Sequence, residues 1–307
     1  MSWTEPRRVT VLGNPGLDTL VLLDVDEPDL GVDGHFVRTV DTVGHAAAYC
    51  ARGFARLGHT TRVLGSTGQD PAGEMVRRVL AAEGIDTSLM FTDPTGTARS
   101  VNLVRPDGRR TYFYDGAGHM TLTPPPAAVE SALADTDLVM STLANWARHV
   151  VVGARARGVP VAVDLQDVRD PADPYRADFV ANADLLFASA AHLPDPIAAA
   201  LAWFAAGPAA LVVLGMGARG AMVVQRGPEG PIVTRSSPPA LDLPVVDTTG
   251  AGDSLAVGFL DAHVLAGRPV AESLLRGQLL ARVVAGAPGG DALAGRDALE
   301  AQVEMQG

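Results

Sequence analysis

Residues Pro244–Leu260, PVVDTTGAGDSLAVGFL, hold the residue types best suited to chemistry. An apolar strand ends at Asp247, and Thr248–Gly252 makes a loop of small residues. Asp253 then opens an apolar helix with Leu255, Phe259 and Leu260 on one side. Free N–H groups at a helix start attract anions, the helix dipole favours negative charge there, and glycine lets a phosphate approach the backbone. A carboxylate beside such a site can act as general base toward a hydroxyl nucleophile. An acidic residue in a first turn, or glycines before a helix, are each ordinary structural devices. Two threonines, two glycines and two aspartates around one loop favour the chemical reading.

Composition narrows how that chemistry could run. The chain has 307 residues and a net charge of −11, and all 24 of its basic residues are arginine. Without lysine there is no Schiff base, no pyridoxal-phosphate chemistry and no GxxxxGK[ST] phosphate loop. Phosphate must be held by backbone N–H groups and arginine. The acidic balance argues against nucleic-acid partners and anionic membranes. The lone cysteine, Cys50, excludes an intrachain disulfide and a cysteine zinc site. Its apolar neighbours, AAAYCARGF, make it a buried structural thiol. No apolar run reaches the ~18 residues that span a bilayer, and MSWTEPRR leads into a strand without a signal peptide. A cytoplasmic location is expected.

The elements that must position the loop follow from periodicity. Val9–Gly13 and Thr19–Leu23 read as strands, Gly31–Val40 has strand-like character, and Ala46–Leu57 has helical spacing up to Gly58. Arg62–Leu64 is a strand, and Pro71–Glu83 a helix opened by proline and closed by Gly84. TARSVNLV and RRTYFYD flank PDG and predict a hairpin over 97–115. From Ala127–Leu133 onward, helices at Trp146–Arg157 and Ile197–Ala205 alternate with strands at Leu138–Ser141, Val161–Leu165, Leu185–Ala188 and Ala210–Leu214. That rhythm predicts a parallel sheet covered on both faces. Ala221–Gln225 and Ile232–Arg235 follow without a helix and predict antiparallel strands, and helices at 253–266 and 270–285 close the chain. The expectation is one domain over 1–307, with a small β lid drawn from about 15–40 and 97–115.

DTTGAGDS resembles the signature of the ribokinase-like sugar kinases, the PfkB carbohydrate kinase family. The likeness extends along the chain. Gly13–Asp18 is similar to the family's first substrate-binding strand, and ARLGHTTRVLGSTGQDPAG (55–73) to its LG…G.vG.D.fG segment. TARSVNLVRPDGRRTYFYDGAG resembles its lid hairpin, and LVVLGMGARGAMV the strand–turn–strand beside the nucleotide. The resemblance implies an α/β fold: a ribokinase-like three-layer αβα domain with a mostly parallel central sheet and a small β lid. It implies ATP-dependent phosphorylation of a sugar hydroxyl, with Mg²⁺ and K⁺, and a homodimer through the lid. Asp253 would be the base, and Gly250, Ala251 and Gly252 the anion hole. Asp18, Gly44, His45, Tyr49 and Arg99 would contact the sugar. Ser189, Gly215, Gly217, Gly220 and Thr248, with Gly250 and Gly252, would line the nucleotide. Asp247 and Thr249 would place a monovalent cation.

This chain departs from the family pattern at named positions. The family's GG-x-x-x-N becomes Gly44-His45-Ala-Ala-Ala-Tyr49, with two larger side chains at the sugar pocket or, for Tyr49, in the core. Its D-x-N-x-R becomes Asp164-Leu-Gln166-Asp-Val-Arg169, and its NxxE becomes Ser189-Ala-Ala-His192, where a neutral imidazole cannot replace a hard oxygen ligand to Mg²⁺. A nucleoside kinase and a non-catalytic sugar- or nucleotide-binding regulator therefore stay open as alternatives. Two other strings are read as decoys. GMGARG (215–220) matches GxGxxG, but a strand-like run follows where a dinucleotide fold needs a helix. GDSL (252–255) matches an esterase block, yet His263 lies ~13 Å further along the helix. Among the remaining histidines, His35 and His119 fall in or near the lid, where substrate contact stays open beside the favoured reading as surface or loop residues.

Overall fold

The computed structural model describes residues 5–290 and 294–306; the reading of the N-terminus as leader-free falls partly outside them. The first half of the chain contains β1 (Arg8–Leu12), β2 (Gly16–Leu22), β3 (Arg38–Gly44), α1 (His45–Arg56), β4 (Thr60–Leu64), β5 (Ser66–Thr67), α2 (Pro71–Ala82), β6 (Phe91–Thr92), β7 (Arg99–Val104), β8 (Arg110–Asp115), α3 (Pro126–Leu133) and β9 (Leu138–Ser141). The second contains α4 (Ala147–Ala156), β10 (Val161–Asp167), α5 (Ala177–Val180), β11 (Leu185–Ser189), α6 (Pro196–Ala206), β12 (Leu211–Gly215), β13 (Ala221–Gln225), β14 (Ile232–Ser236), α7 (Ala251–Leu260), α8 (Val270–Val284) and α9 (Arg296–Gln306).

Local chemistry sets these boundaries. Asp70 caps α2 by accepting the Gly73 N–H at 2.8 Å, and Pro71 supplies the preset first turn. Asp195 caps α6 through the N–H groups of Ile197 and Ala198. The strand-like reading of Gly31–Val40 is corrected: its first part is loop, and β3 begins at Arg38 and runs to Gly44. Asp29, Gly31, Asp33 and Gly34 are turn formers, and Asp29 accepts the Gly31 N–H at 2.8 Å in place of a ladder bond. The strand expected up to Asp247 is likewise absent, because Asp247 folds its carboxylate back onto Thr249.

The large sheet has the order β14-β13-β12-β11-β10-β9-β1-β4, parallel from β12 to β4 and antiparallel at β12–β13–β14. Alternate residues of one strand enter different cores, as a two-period demands. Val11, Met140, Phe187 and Val213 join the core under α1, α7 and α8, while Leu12, Val139, Leu186 and Val212 join the one under α4 and α6. A second sheet, β3-β2-β7-β8, forms the lid. The β7–β8 turn docks on the body, where the Thr248 hydroxyl donates to the Gly108 carbonyl at 3.0 Å. Among the described residues no helix is long and apolar enough to cross a membrane.

Candidate active site

A cavity of about 920 Å³ opens between the lid and the C-terminal edge of the large sheet. Residues just past the parallel strands line it: Asn14 after β1, Thr142 after β9, Asp164 on β10, Ser189 on β11 and Gly215 on β12. This is where open α/β sheets place ligands, since strand ends and the loops after them converge there. The lid contributes Asp18, Asn102, Arg110 and Tyr114 to the opposite wall.

The loop before α7 reaches the cavity through Thr248 and Gly250–Asp253. Gly250 sits at φ +77, the left-handed region where glycine is unstrained, and it turns the chain into α7. A side chain there would press on the Tyr49 ring at 3.1 Å, whereas one at Gly252 would meet open space. First-turn amides of a helix have no intrahelical acceptor, which suits this end of α7 to an anion, although the Ala251 N–H already donates to the Thr248 carbonyl at 3.2 Å. Asp253 lies in that first turn and is held by the Cys50 thiol, whose Sγ is 3.9 Å from Oδ1. Burial pushes the Asp253 carboxyl up to about 6, against the lowering pull of the Arg110 charge. Burial, reinforced by the negative charge of Asp253, pushes Asp164 up to about 7. The site thus holds two carboxyls poised close to neutral pH, which is the working range of a general base.

Asp18 is a hub rather than an open ligand. Its Oδ2 accepts from the Tyr49 hydroxyl at 2.8 Å and the His45 backbone N–H at 3.2 Å. Its Oδ1 accepts from the Ser100 hydroxyl at 2.5 Å and lies 3.3 Å from His45 Nε2. The network continues from Ser100 to Asn102, to Arg110, and on to the Thr249 hydroxyl at 2.9 Å. Thr249 in turn donates to Asp247, whose second oxygen accepts the Gly289 N–H at 2.8 Å. One continuous polar path therefore joins the lid to the phosphate-type loop.

Most residues singled out from the sequence meet here: Asp18, His45, Tyr49, Ser189, Gly215, Gly217, Gly220, Thr248, Gly250, Ala251, Gly252 and Asp253 all line the cavity. Gly44 stands behind Asp18, where a side chain would lie 2.1 Å from Oδ2. Arg99 is exposed and outside the lining, because on β7 it alternates with the inward-facing Ser100 and Asn102. Arg110 is the lid arginine that reaches the site, and sequence reasoning passed over it. The signal was present, since Arg110, Tyr112 and Tyr114 share one face of β8. Asp247 and Thr249 are fully buried and brace the loop through their mutual bonds. His192 is outside the lining, but it pairs at 2.7 Å with Asp167, which lines the cavity. The GxGxxG string is a turn between antiparallel β12 and β13, and Ser254 of the GDSL string is buried away from any histidine bond.

A lid over strand ends, a helix start open to the cavity and a half-buried carboxyl in its first turn together suit phosphoryl transfer. The chain belongs to the pfkB family of carbohydrate kinases, whose family model matches residues 20–294. It is therefore a phosphotransferase acting on hydroxyl groups. The acarbose 7(IV)-phosphotransferase of Actinoplanes sp. is 34% identical over 87% of this chain and 88% of its own length. The microbiome-derived acarbose kinase Mak1 superposes with a TM-score of 0.87 at 31% identity, covering 97% of this chain and 99% of that one. The ribokinase of Arabidopsis thaliana, solved with ribose and ATP, superposes with a TM-score of 0.80 at 20% identity over 97% and 99% of the two chains. That last likeness speaks for the ribokinase-like fold alone.

Proposed function

We propose that this protein transfers the γ-phosphoryl group of ATP to a hydroxyl of a multi-ring carbohydrate of the acarbose type. The observation that carries the reading is Asp253, half-buried in the first turn of α7 and lining the same cavity as the lid. In this reading Asp253 takes the proton from the acceptor hydroxyl as its oxygen attacks the γ-phosphorus, and the bond to the ADP oxygen breaks. The amides of Gly250–Gly252 and the guanidinium of Arg110 balance the charge on the transferring group. Gly215, Gly217, Gly220 and Ser189 border the nucleotide, with Thr248 at its phosphates. The acceptor lies along Tyr49 and the lid, whose closure excludes water. Lid and body, residues 1–307, act as one catalytic domain.

Mg²⁺ fits the donors present, because Asp164 is a carboxyl on the cavity wall that burial and the negative charge of Asp253 bias toward its neutral form, a bias that a cation beside it would offset. Asp164 would hold the ion, which supplies charge neutralisation to the phosphates when bound. K⁺ fits poorly at Asp247 and Thr249, since the carboxylate is spent on Thr249 and Gly289 and the threonine hydroxyl already faces Arg110. No step of this mechanism runs through a monovalent cation. The acceptor class rests on two relatives named for acarbose, at 34% and 31% identity over most of both chains. A homodimer through the lid accords with Val101 and Phe113, exposed on the face turned from the cavity. Dependence on ATP accords with the cytoplasm.

The test is product detection by mass spectrometry with Mg²⁺-ATP and a panel of acarbose, malto-oligosaccharides, free pentoses and hexoses, and ribonucleosides. Phosphorylated acarbose or malto-oligosaccharide supports the reading. Turnover of ribonucleosides alone, or sugar binding without turnover, would replace it with one of the two alternatives raised by the sequence.

A further inference from the structure

Three rings stand in a row on the lid side of the cavity. The Tyr114 ring lies 5.2 Å from that of His45 and 5.8 Å from that of His119, edge-on to both. All three residues line the cavity. Each imidazole sits over a glycine that makes room for it. A side chain at Gly16 would lie 2.3 Å from the His45 ring, and one at Gly116 would lie 2.0 Å from the His119 ring. His45 also holds a left-handed backbone at φ +62, a conformation uncommon for a non-glycine residue.

Two imidazoles of this row keep polar atoms with little to bond. Nδ1 of His119 is shielded from solvent and has no hydrogen-bond partner; the His45 side chain is only 8% exposed, and its Nε2 lies 3.3 Å from Asp18 Oδ1 without a hydrogen bond of good geometry. Buried groups of this kind are normally satisfied, and leaving them unmatched is unfavourable. Burial lowers the pKa of His45, so its imidazole is neutral and offers one donor and one acceptor. An apolar ring face with a few convergent polar atoms is how a pocket binds and orients a polyhydroxylated ring.

The row also has a definite place relative to the reacting loop. The Tyr49 ring lies against Gly250, its hydroxyl reaches Asp18, and Asp18 lies against His45. Tyr49 therefore spans the inner compartment, and the row begins at its far end. A ring with its hydroxyl at Asp253 occupies that compartment and leaves Tyr114 and His119 uncovered. Asp18, which accepts from Tyr49, Ser100 and the His45 backbone N–H, lies beside the His45 ring.

We propose that His45, Tyr114 and His119 form a second carbohydrate subsite, which takes the sugar ring glycosidically linked to the ring being phosphorylated. The proposal rests on the carbohydrate-acceptor reading above and adds to it a preference for linked rings over free monosaccharides.

The experiment compares kcat/KM for acarbose, maltotriose and methyl α-glucoside in the native protein and in Tyr114→Ala, His119→Ala and His45→Gly. Glycine suits the left-handed backbone at position 45, which guards that variant against misfolding. The ratio of kcat/KM for the linked sugars over methyl α-glucoside is expected to fall at least about tenfold in each variant, through KM. An unchanged ratio in folded variants overturns the subsite while leaving the kinase reading intact. If the native protein binds Mg²⁺-ATP but phosphorylates no sugar, the kinase reading fails. Calorimetric titration of maltotriose then decides the subsite: binding lost in Tyr114→Ala supports it, and no binding, or equal binding, overturns it.

Discussion

Asp253 combines a place in the first turn of α7, a wall of the cavity and a carboxyl pushed toward its neutral form. Its pKa is raised to about 6, so it is a base above that pH and protonated below it. The sign is fixed: kcat/KM should fall about tenfold per pH unit on the acid side of ~6, and a pH–rate profile of the native protein checks it. Gly252 offers a separate test, because a methyl group there meets nothing in the protein yet points into open space. Gly252→Ala should keep its Tm within about 2 °C. It should also weaken Mg²⁺-ATP binding at least about tenfold, since that space is where a phosphate must approach the backbone. Calorimetry and a thermal melt read both effects. At this scale the sequence was most legible. A loop of eight consecutive residues carries its own geometry, and DTTGAGDS needed no tertiary knowledge to be found.

The lid shows where legibility ended. The hairpin over 97–115 is plain in the alternation around PDG, but which arginine faces inward depends on strand parity. Ser100 and Asn102 turn inward on β7, so Arg99 turns out. On β8, paired in register Arg99 to Asp115 and Val104 to Arg110, the inward set is Arg110, Tyr112 and Tyr114. Strand parity, set by the pairing of β7 with β8, fixed the choice. His119 was hidden for a related reason: what makes it noteworthy is a buried ring nitrogen without a hydrogen-bond partner, which no spacing rule reveals. Arg110 bonds Thr249 and lowers the pKa of Asp253, so it couples lid and loop. Arg110→Ala should reduce kcat by roughly 10²-fold. It should also move the acid limb of the pH profile upward, because the positive charge that favours ionised Asp253 is gone. A purely structural role for Arg110 would leave that limb in place.

Across the whole molecule, distant segments are tied together behind the site. Asp261, just after α7, accepts from His59 at 2.8 Å and from Arg296 of α9 at 2.7 Å. Burial works to raise its carboxyl pKa, but the hydrogen bonds from His59 and Arg296 outweigh it and hold the value below the usual range. A depressed folded-state pKa contributes stability above the unfolded pKa, and this is lost as pH falls through the folded value. Asp261→Ala leaves the partner charge buried and should cost about 3 kcal/mol at pH 7. The penalty should shrink as the pH is lowered through the acid range, and melts over that range read it. The doubly covered sheet was evident from the strand–helix rhythm. The C-terminal helix and its long-range anchor were not, because an ion cluster joining residues 59, 261 and 296 leaves no local pattern.

The central claim is that Asp253 accepts the acceptor's proton during transfer of phosphate to a carbohydrate hydroxyl. The most direct measurement is single-turnover formation of phosphorylated acarbose by the native protein and by Asp253→Asn, with Mg²⁺-ATP affinity measured on both. Asparagine keeps the shape of the side chain and removes its basicity. Product from the native protein, with a rate at least about 10³-fold lower in the variant and ATP still bound, is the predicted result. A variant that phosphorylates the sugar within about tenfold of the native rate would contradict the assignment of Asp253 as base.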